Sequence, residues 1–262
     1  MSRGVEGRTA VVCGASSGLG YAVAERLAAG GARVLVVSRS EERVRAAVDA
    51  ILAAGGAVEG CAADLTEAGA PGRIADAARA AFGVPEIVVA NGGGPPGMPA
   101  VEAAAEDLEA ACRLLLLPVQ RLAAETLPAM RAAGWGRFVA ITSVAVRQPQ
   151  PGLVLSNSLR AAVTGYLKSL ADEVAADGVT VNTVCPGYTA TDRLGELAKN
   201  VAEREGVTTD EVFARWARQV PIRRLLRPEE VAAAVAFLCS DEASGMTGVA
   251  LPVDGGFSRS LL

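Results

Sequence analysis

A glycine-rich run near the N-terminus has the residue types that bind a phosphorylated cofactor. It reads G-A-S-S-G-L-G, between a predicted strand and a predicted helix. Glycines at this spacing permit a tight turn and close backbone approach, so a pyrophosphate can bind the amides at the helix start. The predicted ligands are Gly14, Ser16, Ser17, Gly18, Leu19 and Gly20. A plain strand-to-helix turn is the alternative, because the chain is rich in glycine, with 29 residues.

The end of the second predicted strand indicates which dinucleotide would bind. Ser38 and Arg39 occupy this position, and no acidic residue stands at the strand tip. An acid there commonly binds the ribose diol of NAD, whereas an arginine accommodates the 2′-phosphate of NADP. The sequence therefore favours NADP(H) over NAD(H), with Ser38 and Arg39 as ligands. The alternative is that Arg39 is an ordinary solvated loop residue.

The chain contains no histidine, and this excludes several kinds of active site. Ser-His-Asp and Cys-His triads, zinc sites of the HExxH type and imidazole proton shuttles all require that residue. No metal site is predicted. Proton transfer would instead depend on a tyrosine, a lysine, a cysteine, a carboxylate, a hydroxyl or water.

The composition limits which partners this chain could bind and which cellular compartment it would occupy. A net charge of -4 and an aromatic content of 4% argue against a nucleic-acid surface. The five cysteines are scattered without a C-x-x-C pair, which is typical of a reducing cytoplasm rather than a disulfide framework. No stretch approaches the ~18 apolar residues of a membrane span. We expect a cytoplasmic protein that acts on a small molecule.

The elements that must position these residues alternate along the chain. Apolar, β-branched runs predict strands at residues 8–13, 33–38, 58–63, 86–90, 137–142, 179–184 and 249–253. Amphipathic runs predict helices at residues 18–30, 41–54, 67–82, 104–132, 155–176 and 228–239. Pro118 and Pro128 are expected to interrupt or bend the longest helix. Strands that are apolar on both faces indicate an α/β fold, a doubly wound parallel sheet in one domain. Residues 193–219 are predicted to be a helical insertion.

Several segments, in order along nearly the whole chain, resemble the short-chain dehydrogenases/reductases. They are Gly14–Gly20, Asp64-Leu65, Asn91-Gly92, Gly136–Ser143, Val181–Gly187, Arg223–Val231 and Pro252–Gly256. The resemblance is strongest to 3-oxoacyl-acyl-carrier-protein reductases. It implies a Rossmann fold, an oxidoreductase acting on a carbonyl or alcohol, and a homotetramer or dimer in which the two longest helices pack between subunits. It also implies that the helical insertion covers the substrate.

The same resemblance implies further cofactor ligands. Asp64 and Leu65 follow the third strand, where the family's aspartate faces the adenine. Asn91 and Gly92 match its Asn-containing stretch after strand four. The nicotinamide end of the cofactor would contact Pro186 and Gly187, and its phosphates would contact Thr189 and Thr191.

The catalytic positions depart from the family, which uses Asn, Ser, Tyr and Lys. The chain has no Tyr-x-x-x-Lys, because Thr164 stands four residues before Lys168 and Gly195 four before Lys199, and there is no other lysine. The resemblance places Ser156 at the tyrosine position and Arg160 at the lysine position. The asparagine falls near Leu115, and the serine, Ser143, is kept.

These replacements change what the site can do. Arg160 can bind a ribose hydroxyl and hold positive charge, but it does not release a proton at working pH. Ser156 is a far weaker acid than a phenol, yet with Ser143 it could form a two-hydroxyl oxygen pocket. The alternative is that Ser156 caps its helix. Tyr188 is a candidate substitute phenol or, equally, a wall of the pocket.

Three functions remain open on the sequence. The first is an NADP(H)-dependent oxidoreductase with a non-standard proton-delivery site. The second is a cofactor-binding protein with little redox activity, such as a regulatory subunit. The third is non-redox chemistry, a lyase or cyclase reaction, in the same pocket.

Overall fold

A seven-stranded parallel sheet forms the centre of the computed structural model, which describes residues 4–261. The spatial order is β3-β2-β1-β4-β5-β6-β7, so the order reverses between β1 and β4. The strands are β1 Thr9–Cys13, β2 Arg33–Ser38, β3 Ala57–Ala62, β4 Ile87–Ala90, β5 Gly136–Ile141, β6 Val179–Pro186 and β7 Ala250–Val253. This is the doubly wound α/β fold that the sequence predicts.

Helices cover both faces of the sheet. They are α1 Gly18–Ala29, α2 Glu41–Ala53, α3 Ala70–Ala81, α4 Ala105–Ala133, α5 Val154–Val174, α6 Asp192–Glu205, α7 Thr209–Gln219 and α8 Pro228–Leu238. Residues of α1, α2 and α8 share one hydrophobic core with the sheet, and residues of α3, α4 and α5 share a second core. The central strands β1, β4, β5 and β6 are buried along their whole length because both faces are covered.

The long helix α4 corrects one expectation. It runs for 29 residues as a single helix with Pro118 and Pro128 inside it, so of the two predicted effects the interruption is wrong and the bend stays a prediction. Each proline removes one backbone donor and costs a helix interior about 3 kcal/mol. Burial of residues such as Leu122 and Met130 against the sheet offsets that cost.

The helical insertion predicted at residues 193–219 corresponds to α6 and α7. These two helices have a small apolar core of their own, in which Ala198 and Ala202 of α6 meet Val212 and Trp216 of α7. Thr191 caps the start of α6 and Thr208 the start of α7. No helix within residues 4–261 combines the length and the apolar character that crossing a bilayer requires.

The loops that precede β5 and β6 approach each other closely, and this contact gives a prediction about stability. Gly178 has φ +76°, and a Cβ there would collide with the carbonyl oxygen of Gly134. Gly206 has a similar φ of +68°, but a Cβ there would meet nothing within 4 Å. The Gly206→Ala variant should lose about 1–2 kcal/mol from backbone strain alone. Gly178→Ala should lose at least roughly twice that, because strain and collision add.

Thermal unfolding of both variants measures the difference. Each kcal/mol corresponds to about 2–4 °C in Tm for a chain of this size. Equal Tm values for the two variants would show that the close approach at Gly134 has no energetic consequence.

Candidate active site

An open cleft of about 370 Å³ lies at the carboxyl ends of β1, β4, β5 and β6, where the strand order reverses. Ligands of doubly wound folds bind at such a reversal. Most of the predicted site residues line it: Gly14, Ser17, Gly18, Leu19, Asn91, Gly92, Ser143, Ser156, Arg160, Pro186, Gly187, Thr189 and Thr191. The loops that follow β1, β4, β5 and β6 and the helices α1 and α5 thus bring these residues to one place.

The glycine-rich turn has the geometry of an anion-binding loop. Gly14 and Gly18 have φ of +59° and +56°, values that disfavour other residues. A Cβ at Gly20 would collide with the carbonyl oxygen of Gly14, so the turn is too tight for a side chain. Ser17 occupies the cap position of α1 without a side-chain hydrogen bond to the helix. The first amides of α1 are therefore left without a side-chain cap, as a bound pyrophosphate requires.

Two arginines and three serines surround the tip of β2. Ser16 Oγ and Ser38 Oγ form a hydrogen bond of 2.9 Å, and Arg43 Nη2 donates to Ser17 Oγ at 3.0 Å. Neither Arg39 nor Arg43 forms an ion pair with a carboxylate in the part of the chain that the structure describes. Both cations are exposed and free to bind a phosphate.

Sequence reasoning missed Arg43. It lies in the first turn of α2, which begins at Glu41 and is capped by Ser40. The available signal was the helix start itself, because a residue in the first turn after β2 faces back toward the strand tip.

Asp64 and Leu65 follow β3, and their side chains have different surroundings. Asp64 Oδ1 accepts hydrogen bonds from the amide and the hydroxyl of Thr66, at 2.9 and 2.8 Å. These bonds, with the nearby charge of Arg39, hold the pKa of Asp64 below its usual value. Leu65 lines a small cavity that adjoins the cleft rather than the cleft itself.

Asn91 connects β4 to the glycine-rich turn. Its Nδ2 donates to the carbonyl oxygen of Gly14 at 3.3 Å, and a Cβ at Gly14 would lie only 2.8 Å from that nitrogen. The asparagine therefore holds the two loops against each other at the floor of the cleft.

Ser143 lies just beyond the end of β5, which stops at Ile141. Its Oγ accepts a hydrogen bond from the amide of Ala145 at 3.1 Å. Because the bond uses an oxygen lone pair, the hydroxyl proton remains available to donate into the cleft.

Ser156 and Arg160 form a pair on α5. Arg160 Nε donates to Ser156 Oγ at 3.2 Å, and Arg160 Nη1 donates to the carbonyl oxygen of Ile141 at 3.1 Å. The helix begins at Val154 with Leu153 in the cap position, so Ser156 is inside the first turn. The alternative that Ser156 caps its helix is therefore wrong. The oxygen of Ser156 accepts the hydrogen bond from Arg160, and its hydroxyl proton remains available to donate into the cleft.

Burial and the positive charge of Arg193 lower the pKa of Arg160 to about 10. That value remains well above neutral pH, so the guanidinium keeps its proton there. Its partners named above are neutral oxygens. A cation shielded from water without a counter-charge costs free energy, and it favours any negative charge that enters the cleft.

The position that the resemblance assigns to asparagine is apolar. Leu115 is buried and lines the small adjoining cavity, of about 30 Å³, together with Leu114, Pro118, Val119, Leu122 and Val163. Arg160 also lines this cavity. No polar side chain of α4 lines it, so α4 supplies no side-chain partner to the arginine there.

Beyond β6, two threonines fold the chain back toward α6. Thr189 Oγ1 donates to the carbonyl oxygen of Gly187 at 3.1 Å, and Thr191 Oγ1 accepts from the amide of Leu194 at 3.3 Å. Gly187 lies against Asp254, where a Cβ would be 2.9 Å away. These contacts place Pro186, Gly187 and both threonines along one wall of the cleft.

Tyr188 is not brought together with the other candidates. Its ring stacks on Trp216 with centroids 5.0 Å apart and meets the edge of Phe257 at 5.2 Å. Burial raises the pKa of Tyr188, and this makes the phenol a poorer proton donor. Tyr188 is absent from the residues that line the cleft. The structure places it as the contact between the sheet and α7.

Known proteins are similar to this chain along nearly its whole length. Residues 14–258 match a family described as enoyl-(acyl carrier protein) reductase. The chain belongs to the short-chain dehydrogenase/reductase family. A 3-oxoacyl-[acyl-carrier-protein] reductase, FabG of Escherichia coli, is 36% identical to it over 251 residues, covering 96% of this chain and 97% of the relative.

Two solved structures of short-chain reductases resemble the fold closely. L-sorbose reductase from Gluconobacter frateurii, complexed with NADPH and L-sorbose, has a TM-score of 0.94 and 33% identity and covers all of both chains. An NADPH-bound short-chain oxidoreductase from Pseudomonas aeruginosa has a TM-score of 0.90 and 29% identity, covering 98% of this chain and 99% of its own. The second is described as containing an atypical catalytic center.

The aromatic contact at Tyr188 gives a prediction about α6 and α7. Truncating Trp216 to alanine removes the ring stack, and a large buried aromatic is worth about 3–5 kcal/mol. Hydrogen–deuterium exchange in residues 192–219 should therefore rise strongly in Trp216→Ala. Tyr188→Phe keeps the ring and should leave exchange unchanged.

The Phe213→Leu variant is the matched control. Phe213 also contacts Trp216, but both residues lie on α7, so this variant leaves the stack of Trp216 on Tyr188 in place. Exchange confined to α7 in Trp216→Ala would contradict the idea that the stack holds both helices.

Proposed function

We propose that this chain is an NADP(H)-dependent oxidoreductase that interconverts a carbonyl group and an alcohol on a small molecule, with 3-oxoacyl reductases as its closest functional type. One observation carries the proposal. The Ser143 hydroxyl, the Ser156 hydroxyl and the charge of Arg160 line the same cleft as the glycine-rich turn. A carbonyl oxygen and a dinucleotide can therefore be held side by side.

The residues present fit NADP(H). The uncapped start of α1 suits the pyrophosphate, and the serines and arginines at the tip of β2 suit a 2′-phosphate. Arg160 replaces the lysine that holds the nicotinamide ribose, and its donors suit a ribose hydroxyl. Asp64 and Leu65 are assigned to the adenine end, and Thr189 and Thr191 to the phosphates. The bound cofactor supplies or accepts the hydride.

The two serines bind the reacting oxygen in this proposal. Ser143 and Ser156 each have an accepted hydrogen bond on the oxygen and a free proton. Both protons point to a single acceptor when a carbonyl oxygen occupies the cleft, and the bonds strengthen as that oxygen gains negative charge. Preorganised donors of this kind are worth about 10²–10³ in rate each.

Proton delivery is assigned to Ser156 with help from Arg160. The guanidinium bond to Ser156 Oγ stabilises that oxygen when it gives its proton to the alkoxide. Water from the open cleft then returns a proton to the serine, while Arg160 stays protonated throughout. Tyr188 takes no part, because its ring is held in the aromatic contact with Trp216. The atypical catalytic center of the similar Pseudomonas aeruginosa structure is consistent with such a variation.

Helices α6 and α7 are assigned as the cover of the substrate. Leu194 and Leu197 of α6 line the cleft and supply an apolar wall. We also propose a homotetramer, or failing that a dimer, built on α4 and α5. Light scattering of the purified protein measures the assembly directly.

Cofactor preference provides the first test. Arg39→Ala and Arg43→Ala should each weaken NADPH binding about tenfold, because each removes a charge-assisted bond to the 2′-phosphate. NADH affinity should stay within about twofold, since NADH lacks that phosphate. Fluorescence titration measures both constants.

Arg45→Ala is the matched control, an exposed arginine of α2 that pairs with Glu41. A chain that binds NADH more tightly than NADPH would overturn the assignment, whatever the variants do.

The oxygen pocket provides the second test. In a panel of ketones with NADPH, Ser143→Ala and Ser156→Ala should each lower kcat about 10²–10³-fold, because each removes one donor to the developing oxyanion. NADPH affinity should remain within about twofold. Ser158→Ala, an exposed serine on the same helix, should behave as the unsubstituted protein.

An unchanged kcat in Ser143→Ala would refute the pocket. Tight NADPH binding with no hydride transfer to any ketone would instead support a cofactor-binding protein or a lyase or cyclase in the same cleft.

A further inference from the structure

Two arginines line the cleft. Arg160 reaches it from α5, and Arg193 reaches it from the first turn of α6. Asp192 is the only carboxylate among the lining residues, and it forms no ion pair with either arginine. It sits at the start of α6, where the helix dipole stabilises an acid. The lining residues of the cleft therefore include two cations and one acid, and the carboxylate that pairs with Arg193, Glu196, is exposed and lies outside the lining.

Arg160 supplies the first half of the argument. Its hydrogen bonds go to the Ser156 hydroxyl and the Ile141 carbonyl oxygen, both neutral. Within residues 4–261 no carboxylate lies within ion-pair distance of it. A partly buried cation with neutral partners only is stabilised by a negative charge that arrives with a ligand.

Arg193 supplies the second half. Its Nη2 donates to the carbonyl oxygens of Pro95 at 3.0 Å and Gly94 at 3.4 Å, in the loop after β4. Its Nη1 meets the exposed Glu196 carboxylate at 3.2 Å. The Nη2 acceptors are neutral carbonyl oxygens and one of the bonds is long, so a bond to an ionised carboxylate would be stronger. Arg193 is close enough to Arg160 for its charge to lower the pKa of that residue.

The wall that Arg193 reaches leaves room for a ligand. A side chain at Gly92 or Gly93 would meet nothing within 4 Å, so this part of the loop faces open space. Both glycines line the cleft with Arg193. A planar carboxylate can enter there and meet the guanidinium, whose forked donors match its geometry.

We propose that the substrate is a short keto acid whose carboxylate binds Arg193 while its carbonyl oxygen binds Ser143 and Ser156 beside Arg160. This assignment rests on the proposed carbonyl chemistry and adds the class of substrate. On binding, Arg193 Nη2 exchanges the carbonyl oxygens of Gly94 and Pro95 for the substrate carboxylate. Arg193 is then a specificity-determining residue.

The test compares acids with their esters. The NADPH complex is titrated calorimetrically with acetoacetate, 2-oxobutanoate and 4-oxopentanoate, and with the methyl ester of each. At least one acid should bind about tenfold or more tightly than its ester. Arg193→Met should remove that advantage, about tenfold, and leave the ester within about twofold. NADPH affinity should not change.

Arg204→Met is the matched control, since Arg204 is an exposed arginine on the same helix outside the cleft. It should leave acid, ester and cofactor binding unchanged. Raising salt should weaken acid binding more in the unsubstituted protein than in Arg193→Met, which keeps only the charge of Arg160 near the ligand.

Four results would overturn the proposal: equal binding of acid and ester, equal losses for both in Arg193→Met, a fall in NADPH affinity in that variant, or no binding of any acid. The calorimetric readout is independent of turnover. Tight acid binding without hydride transfer therefore contradicts the proposed function and leaves the substrate class standing. Efficient reduction of esters and acids alike does the reverse.

Discussion

Parallel pairing of β1 with β4 is the constraint on which the site depends. Val11 lies opposite Val88 in that pair, with the chain leaving β1 toward one edge of the sheet and β4 toward the other. The connecting loops therefore part above this pair and leave a gap between them. The glycine-rich turn, Asn91 and the loop with Ser143 border this gap, because parallel strands all end on the same side. Two separately covered faces then keep the gap rigid at its floor.

One hydrogen bond in the cleft carries the proposed chemistry. Arg160 and Ser156 lie four residues apart on α5, the separation that brings side chains together on one helix face. The bond fixes the serine oxygen as an acceptor and the arginine as a nearby charge. In the proposed mechanism the arginine supplies the positive charge and the serine supplies the proton. The residues of α4 that line the small cavity, Leu115 among them, are apolar. They therefore offer the Ser156–Arg160 pair no side-chain partner.

The fold could be predicted from the sequence because its signals are local. A run such as residues 33–38 is apolar on both faces, and Gly14 with Gly20 marks a turn that tolerates no side chain. The misses all depend on tertiary contacts. The continuity of α4 through Pro118 reflects burial against the sheet, which outweighs a local penalty. The position of Tyr188 reflects a partner, Trp216, 28 positions further along the chain. The periodicity of a sequence does not give the direction of side chains around a cleft. Arg43 was therefore not among the predicted ligands.

Pro118 has one more consequence. A proline has no amide hydrogen, so the carbonyl oxygen of Leu114, four residues earlier, loses the helical donor it would otherwise have. Leu114, Pro118 and Arg160 all line the small chamber that adjoins the cleft. Its 30 Å³ is enough to hold a single water molecule. The helix that presents only hydrocarbon side chains to this chamber thus has, at Leu114, a main-chain acceptor that lacks its helical donor.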